Sequence, residues 1–192
     1  MKLCFASNNA HKLKEIAAML PAGMQLVGLA DVGITEDIPE TGETLSENSA
    51  LKARYVFERK QLPVFADDTG LEVAALDGAP GVYSARYAGP QRSADDNMDL
   101  LLKNLANISD RSACFKTVIT FIDVDGNVHQ FEGRVDGEII SEKRGAGGFG
   151  YDPIFVPQGE TRTFAEMSGE EKNRISHRAQ AFEKFLNYLA AR

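Results

Sequence analysis

A chain of 192 residues with 43% hydrophobic and 26% charged residues can bury a core, and we treat residues 1–192 as a single domain with room for an added lobe. Its 28 acidic and 21 basic residues give a net charge of −7, which argues against a broad surface for polymeric nucleic acid or an anionic membrane. A small anionic substrate remains compatible with this charge if the basic residues are concentrated in one pocket.

The two cysteines indicate a reducing compartment. Cys4 and Cys114 both lie in apolar, strand-like runs, which is typical of buried free thiols rather than of a disulfide framework. No run resembles a transmembrane span or a secretory signal. We therefore expect a cytoplasmic protein that binds no membrane.

The first half of the chain alternates strand-like and helical patterns. Residues 3–6 are predicted as a strand and residues 10–20 as a helix with apolar side chains at helical spacing. A capping box opens a second helix over residues 44–61. Two short strands are predicted next, over residues 63–67 and 71–73.

The second half adds a helix, a hairpin and a final helix. Ser93 opens a helix, and two β-rich runs between residues 113 and 140 flank a hairpin turn at residues 123–127. A flexible glycine-rich loop follows at residues 145–150. A capping box at Ser168–Glu171 then opens one final helix, so the whole chain predicts an α/β fold with a mixed sheet.

The segment from Pro63 to Gly70 is the most informative for chemistry. A short apolar strand is followed by Asp67, Asp68 and Thr69, where loops usually carry function. A carboxylate held by a rigid strand can bind Mg²⁺ and orient a water molecule. The alternative is an Asx-type turn, since Asp-Thr-Gly is also favourable turn chemistry.

The segment Ser7–Lys12 joins the first strand to the first helix. Backbone N–H groups at a helix N-terminus, polar side chains and a lysine can bind phosphate, although the glycines of a Walker loop are missing. The alternative is an Asn or Ser N-cap followed by a solvated lysine face.

An acidic loop precedes the second helix. Glu40 and Glu43 flank Thr41 and Gly42, and a carboxylate here could complete a metal site with Asp68. The alternative is a solvated loop whose acids interact with the helix dipole.

Of two later segments, one could bind a flat ligand and the other carries a run of charges. In Gly148–Pro153, glycines on both sides of Phe149 could present its ring for stacking on a base, or the segment could be a turn with a buried phenylalanine. The run Glu171–Arg178 carries basic side chains on a helix, which is usually a solvated face. No His/Cys spacing here suggests zinc.

Taken in order, these segments resemble the inosine triphosphate pyrophosphatase family, which removes non-canonical purine nucleoside triphosphates and includes the bacterial dITP/XTP enzymes. The matching pieces are Ala6–Asn9 through Lys12, Glu40–Gly42, Glu47–Ala53, Ala66–Leu71, Gly78–Tyr87, Gly147–Pro153 and Ser176–Arg178. The ordered set spans nearly the whole chain, so it is far more specific than any one motif.

The resemblance implies a role for each matching position. Asp68 would be the proton acceptor and a metal ligand, with Glu40 also on the metal and Asp67 a weaker candidate. Thr69 occupies a substrate-binding position where many members have serine. The triphosphate would be held by Ser7, Asn8, Asn9, Ala10, His11, Lys12 and Lys52. The base pocket would be formed by Phe149, Gly150, Tyr151, Asp152, Lys172, His177 and Arg178.

The resemblance also implies the fold, the cofactor and the assembly. The family fold is an elongated, two-lobed α/β homodimer with a mixed central sheet, flanking helices and a cleft that holds the site. The cofactor would be Mg²⁺, with Mn²⁺ as an alternative, and the substrates would be ITP, dITP or XTP. Two other functions stay open: a similar-fold pyrophosphatase for pyrimidine or other modified nucleotides, and a nucleotide- or RNA-binding module without turnover.

Overall fold

The computed structural model describes residues 2–192, which divide into two compact units. Unit 1 contains the residues up to Asp68 together with Thr117–Gly133 and Arg178–Arg192. Unit 2 contains Thr69–Lys116 and Arg134–His177. Neither unit is continuous in sequence, so each requires segments that are far apart in the chain.

Strands and helices alternate along the chain. The strands are β1 (Lys2–Phe5), β2 (Gln25–Val27), β3 (Val64–Val73), β4 (Pro80–Gly81), β5 (Ser112–Ile122), β6 (Val128–Ile139) and β7 (Phe155–Pro157). The α-helices are α1 (Ala10–Met19), α2 (Leu45–Lys60), α3 (Ala94–Asn104), α4 (Gly169–Asn173) and α5 (His177–Ala190).

The strands form a mixed sheet in the order β2-β1-β3-β5-β6-β7, with β4 paired to β3. Strand β1 runs parallel to both β2 and β3, whereas β3–β4 and β6–β7 are antiparallel. The predicted α/β class with a mixed sheet and flanking helices is therefore confirmed.

Each unit has its own apolar core. In unit 1, Phe5 and Phe65 stack with their ring centroids 4.6 Å apart, and Ile16 and Phe182 pack on the same cluster. In unit 2, the aromatic rings of Phe115, Phe155 and Phe164 pack together. Both cysteines are buried free thiols, as predicted.

Local sequence signals predicted several boundaries well. The capping box at Thr44 and Glu47 is formed at the start of α2, and Ser93 accepts a hydrogen bond from Asp96 N at the start of α3. The predicted hairpin turn lies between β5 and β6, where Asp123 Oδ1 accepts from Asn127 N at 2.9 Å. No helix within residues 2–192 is long and apolar enough to cross a membrane.

Two predictions of secondary structure were wrong. The segment Asp67–Gly70 is not a turn at a strand end but the middle of the ten-residue strand β3. The predicted final helix is interrupted between Asn173 and His177, so α4 and α5 are separate. At this interruption Ile175 N donates to Lys172 O, an i to i−3 bond that tightens the last turn of α4.

Candidate active site

Asp67 lies between two basic side chains in unit 1. Its Oδ1 accepts a hydrogen bond from Lys12 Nζ at 2.9 Å, and its Oδ2 accepts from Arg178 Nε at 3.0 Å. The Asp67 side chain is fully buried, which favours the neutral acid, but the two cations hold its pKa well below the usual range. Asp67 is therefore ionised and anchors both bases.

Arg178 extends this arrangement to a second carboxylate. Its Nη1 donates to Glu15 Oε2 at 2.5 Å. Burial would lower the pKa of Arg178, but Asp67 and Glu15 raise it. Lys12 and Glu15 are three positions apart on α1, so both lie on one face of that helix. Four alternating charges thus connect α1, β3 and the start of α5.

Asp68, the next residue of β3, pairs with a different base. Lys52 Nζ lies 3.5 Å from Asp68 Oδ1 and 2.6 Å from Glu40 Oε1. Burial raises the pKa of Asp68, an effect that Lys52 opposes only in part. Asp68 is therefore the more easily protonated member of the aspartate pair, as a proton acceptor requires.

The carboxylate oxygens around Lys52 are of the kind that binds a magnesium ion. Glu40 and Asp68 approach the same ammonium group, so their oxygens face a common point. Across residues 2–192, no group of three or more His, Cys, Asp or Glu side chains is placed to hold a metal ion. Mg²⁺ commonly takes one or two protein carboxylates together with water and substrate phosphates, so these two carboxylates suit it.

The segment Ser7–Lys12 forms a well-defined helix cap. Asn9 Oδ1 accepts from His11 N at 3.0 Å and from Lys12 N at 3.1 Å, while Ser7 Oγ accepts from Asn9 N. The predicted Asn N-cap is therefore confirmed, but the solvated lysine face is not, because Lys12 pairs with the buried Asp67. Asn8, Ala10 and His11 are exposed at this end of α1, and their phosphate-binding role stays a prediction.

Unit 2 brings together three of the predicted base-pocket residues. Asp152 Oδ2 accepts from Lys172 Nζ at 2.6 Å and from Phe149 N at 3.0 Å. The Lys172 ammonium also lies 4.8 Å from the centre of the Phe149 ring. A Cβ at Gly148 would lie 2.1 Å from Asp152 Oδ2, which explains the glycine before Phe149.

Other predicted residues of unit 2 have different surroundings. Tyr151 is buried and its hydroxyl donates to Ser84 O at 2.7 Å. The His177 ring stacks on Phe115 at 4.7 Å between centroids. Thr69 is half-buried in β3, and Gly150 has a φ of +61° with no atom within 4 Å of a Cβ placed there.

The structure thus groups the charged residues of unit 1 and, separately, Phe149, Asp152 and Lys172 of unit 2. Arg178 lies with Asp67 and Glu15, and its predicted contact with the base remains a prediction. Sequence reasoning missed Glu15. Its signal is the spacing of three residues from Lys12 on a predicted helix, which marks it as a neighbour of the phosphate segment.

Comparison with known proteins gives a consistent result. The sequence pattern of the Ham1 family matches residues 3–188. A dITP/XTP pyrophosphatase from Porphyromonas gingivalis is 56% identical over 98% of this chain and 97% of its own length. A dITP/XTP pyrophosphatase from Flavobacterium johnsoniae is 52% identical over 100% of this chain and 99% of its own length.

Solved structures agree with the sequence relatives. The Staphylococcus aureus Ham1 protein superposes with a TM-score of 0.90 at 40% identity, covering 100% of this chain and 99% of that one. A Ham1 protein from Coxiella burnetii gives a TM-score of 0.91 at 40% identity, with 100% of both chains covered. The family resemblance found in the sequence is confirmed, and the chain belongs to the Ham1 family.

Proposed function

We propose that this protein hydrolyses non-canonical purine nucleoside triphosphates, namely ITP, dITP and XTP, to the monophosphate and pyrophosphate. Relatives with 56% and 52% identity over nearly the full chain carry the name dITP/XTP pyrophosphatase. The structural observation that carries the proposal is the cluster of Lys52, Asp68 and Glu40, because it combines a proton acceptor with a cation for phosphate.

The reaction needs a nucleophilic water and stabilisation of a negatively charged leaving group. The water oxygen forms a bond to the α-phosphorus, the bond from the α-phosphorus to the oxygen bridging to the β-phosphorus breaks, and pyrophosphate leaves. Asp68 takes the proton from the water, and its raised pKa makes it a better acceptor. Lys12 and Lys52 stabilise negative charge on the triphosphate and on the departing pyrophosphate.

Glu40 and Asp68 would hold Mg²⁺, with Mn²⁺ as the alternative ion. When bound, such an ion supplies positive charge to the phosphate oxygens and lowers the pKa of a coordinated water. Asp67 contributes indirectly, because its contacts fix Lys12 and Arg178 in place. The polar N-terminus of α1, from Ser7 to Lys12, would add donors to the phosphates.

The purine base would be bound by residues of unit 2. Phe149 offers a ring for stacking, and Lys172 offers donors to a carbonyl oxygen of the base. Asp152 fixes both, since it accepts hydrogen bonds from the backbone of one and the side chain of the other. Tyr151 and His177 complete the set in unit 2, and Arg178 of unit 1 is assigned to the base by the family resemblance alone.

We also propose a cytoplasmic homodimer, as the family resemblance implies. The two buried free cysteines fit a reducing compartment. Light scattering at micromolar concentration should give twice the chain mass of 21.0 kDa. A particle of 21.0 kDa would contradict the dimer.

Pyrophosphate release with Mg²⁺, measured over ITP, dITP, XTP, ATP, GTP and pyrimidine triphosphates, tests the function. We expect turnover of the first three and at least a hundredfold loss in Asp68→Asn. The exposed Asp136→Asn serves as the matched control and should retain wild-type turnover. Release only from pyrimidine nucleotides would favour the second pyrophosphatase class, and no release from any nucleotide would favour a binding module.

A further inference from the structure

Asn48 is a fully buried polar residue on α2, one turn before Lys52. Its Oδ1 accepts a hydrogen bond from the backbone N–H of Gly42 at 2.7 Å. Residues four apart on a helix lie on the same face, so Asn48 and Lys52 are directed to the same side of α2. Asn48 therefore links this face of the helix to the acidic loop.

The loop packs too closely on Asn48 to allow a side chain at position 42. A Cβ built on Gly42 would lie 2.7 Å from Asn48 Oδ1 and 2.7 Å from Glu47 Cβ. Real carbon atoms do not approach this closely, so any larger residue would push the loop away from α2. Glycine at this position is needed for the contact with Asn48.

Three contacts hold the acidic loop on α2, and the first is the hydrogen bond from Glu43 N to Glu47 Oε2 at 2.7 Å. Asn48 binds the backbone at Gly42, and Lys52 binds the side chain of Glu40 at 2.6 Å. Gly42 is two residues after Glu40 in the chain. The hydrogen bond at Gly42 therefore limits the positions that the Glu40 carboxylate can take. In this position Glu40 and Asp68 both approach Lys52 Nζ, so they are placed to share one ion.

The amide nitrogen of Asn48 indicates that this residue is not present for packing alone. Asn48 Nδ2 is buried and has no hydrogen-bond partner within residues 2–192. An unpaired buried donor lowers stability, and an apolar side chain would fill the same space without that cost. The benefit that offsets this cost is the acceptor for Gly42 N–H.

We infer that Asn48 is a positioning residue for Glu40: it fixes the loop at Gly42 and so holds the carboxylate beside Asp68. This inference rests on the proposed function, because it assigns Glu40 to the metal. Residues that orient a metal ligand without touching the metal commonly contribute ten- to a hundredfold to metal affinity or activity.

The test measures Mn²⁺ binding to the full chain by electron paramagnetic resonance, without nucleotide. The variants are Asn48→Ala, Gly42→Ala, the double variant, and Glu40→Gln as a reference for loss of the ligand. Ser49→Ala is the matched control, since Ser49 is equally buried on α2 but bonds Thr120 Oγ1 at 2.6 Å instead of the loop. Near-UV circular dichroism selects folded samples, and the Mg²⁺ concentration for half-maximal pyrophosphate release is measured in parallel.

We expect Asn48→Ala and Gly42→Ala each to weaken Mn²⁺ binding about tenfold or more. The double variant should lose little beyond the larger single effect, because both changes break the same contact. Ser49→Ala should lose stability but keep wild-type Mn²⁺ affinity. Unchanged Mn²⁺ affinity in folded Asn48→Ala and Gly42→Ala would overturn the inference. Absence of pyrophosphate release from the wild-type protein would instead overturn the proposed function, and the Mn²⁺ measurement would still decide the role of Asn48.

Discussion

Arg178 and Asp67 form a buried ion pair with Nε and Oδ2 3.0 Å apart and side chains that are 1% and 0% exposed. Asp68, the next residue, contacts Lys52 instead. Successive side chains of a strand point to opposite faces, so the two adjacent aspartates enter different environments. The pKa of Asp67 is lowered and that of Asp68 is raised. This difference supports the proposed roles, with Asp67 as the anchor and Asp68 as the proton acceptor.

The first prediction concerns the cost of removing the charge of Asp67. Asp67→Asn keeps the shape but leaves Lys12 and Arg178 without the carboxylate between them. Removing one partner of a buried ion pair typically costs about 3–5 kcal/mol of stability. We expect a loss of this size in the free energy of urea unfolding.

Asp136→Asn is the matched control, because its ion pair with Arg134 is about half exposed. Exposed pairs contribute about 0–1 kcal/mol. Equal losses in the Asp67 and Asp136 variants would contradict the anchoring role of Asp67.

The second prediction compares two glycines of unit 2. Gly148 and Gly150 have φ values of +67° and +61°, so alanine at either position meets the same backbone strain, about 1–2 kcal/mol. Only the Cβ at Gly148 would clash with Asp152, whose carboxylate is bonded to Lys172 and Phe149 N. Gly148→Ala should therefore be less stable than Gly150→Ala by about 2 kcal/mol or more in chemical denaturation. Equal stability would show that Asp152 can move at no cost.

The fold was predictable wherever local signals and tertiary contacts agree. The capping box of α2, the Ser93 N-cap of α3 and the hairpin turn at Asp123 are such cases. The continuity of β3 through residues 68–70 was not predictable from local signals, because Asp, Thr and Gly favour turns. Its carboxylates are compensated by Lys12, Lys52 and Arg178, which are distant in sequence.

The candidate site was predictable as a set of residues but not as a set of contacts. The motifs identified Lys12, Asp68 and Lys172 by residue type and order. They did not reveal that Glu15 binds Arg178 or that Asn48 binds Gly42, since both contacts depend on how α1 and α2 pack. An acid or amide on a helix is usually solvated, so Asn48 was not distinctive in the sequence, and Glu15 was marked only by its spacing from Lys12.

The third prediction is a pH dependence of stability at the start of α4. Glu171 accepts from Ser168 N at 2.8 Å and pairs with Arg162, and these contacts lower its pKa to about 2. The unfolded value is about 4.3. Because the folded pKa is the lower one, the contribution of Glu171 is complete above about pH 4.3 and is lost as the pH falls towards 2. Glu171→Gln should therefore be less stable than wild type at pH 7, with a difference that shrinks over this interval.

Glu170→Gln is the control for this measurement. Glu170 makes only an exposed pair with Arg174 on the same helix, so its variant should show little difference from wild type at any pH. Thermal unfolding from pH 7 to pH 2 gives both curves. A constant difference between wild type and Glu171→Gln across this range would contradict the role of the ionised carboxylate.

The last prediction is substrate preference, and it depends on hydrogen-bond polarity. Inosine and xanthosine carry a carbonyl acceptor at purine position 6, where adenine carries an amino donor. The family resemblance assigns Arg178 to the base, and its guanidinium can only donate, so a 6-keto purine would satisfy it and adenine would leave donor facing donor. An unpaired buried donor costs about 1–3 kcal/mol, so kcat/KM for ITP should exceed that for ATP at least tenfold.

Arg178→Ala should lower kcat/KM for both nucleotides, because Asp67 loses a cation. It should lower kcat/KM further for ITP than for ATP, so that the preference for ITP falls. Arg178→Lys keeps the charge beside Asp67 without the planar guanidinium, so it should recover turnover of ATP but not the preference for ITP. An equal proportional loss for ITP and ATP in Arg178→Ala would show that Arg178 acts only through Asp67 and would remove it from the base pocket.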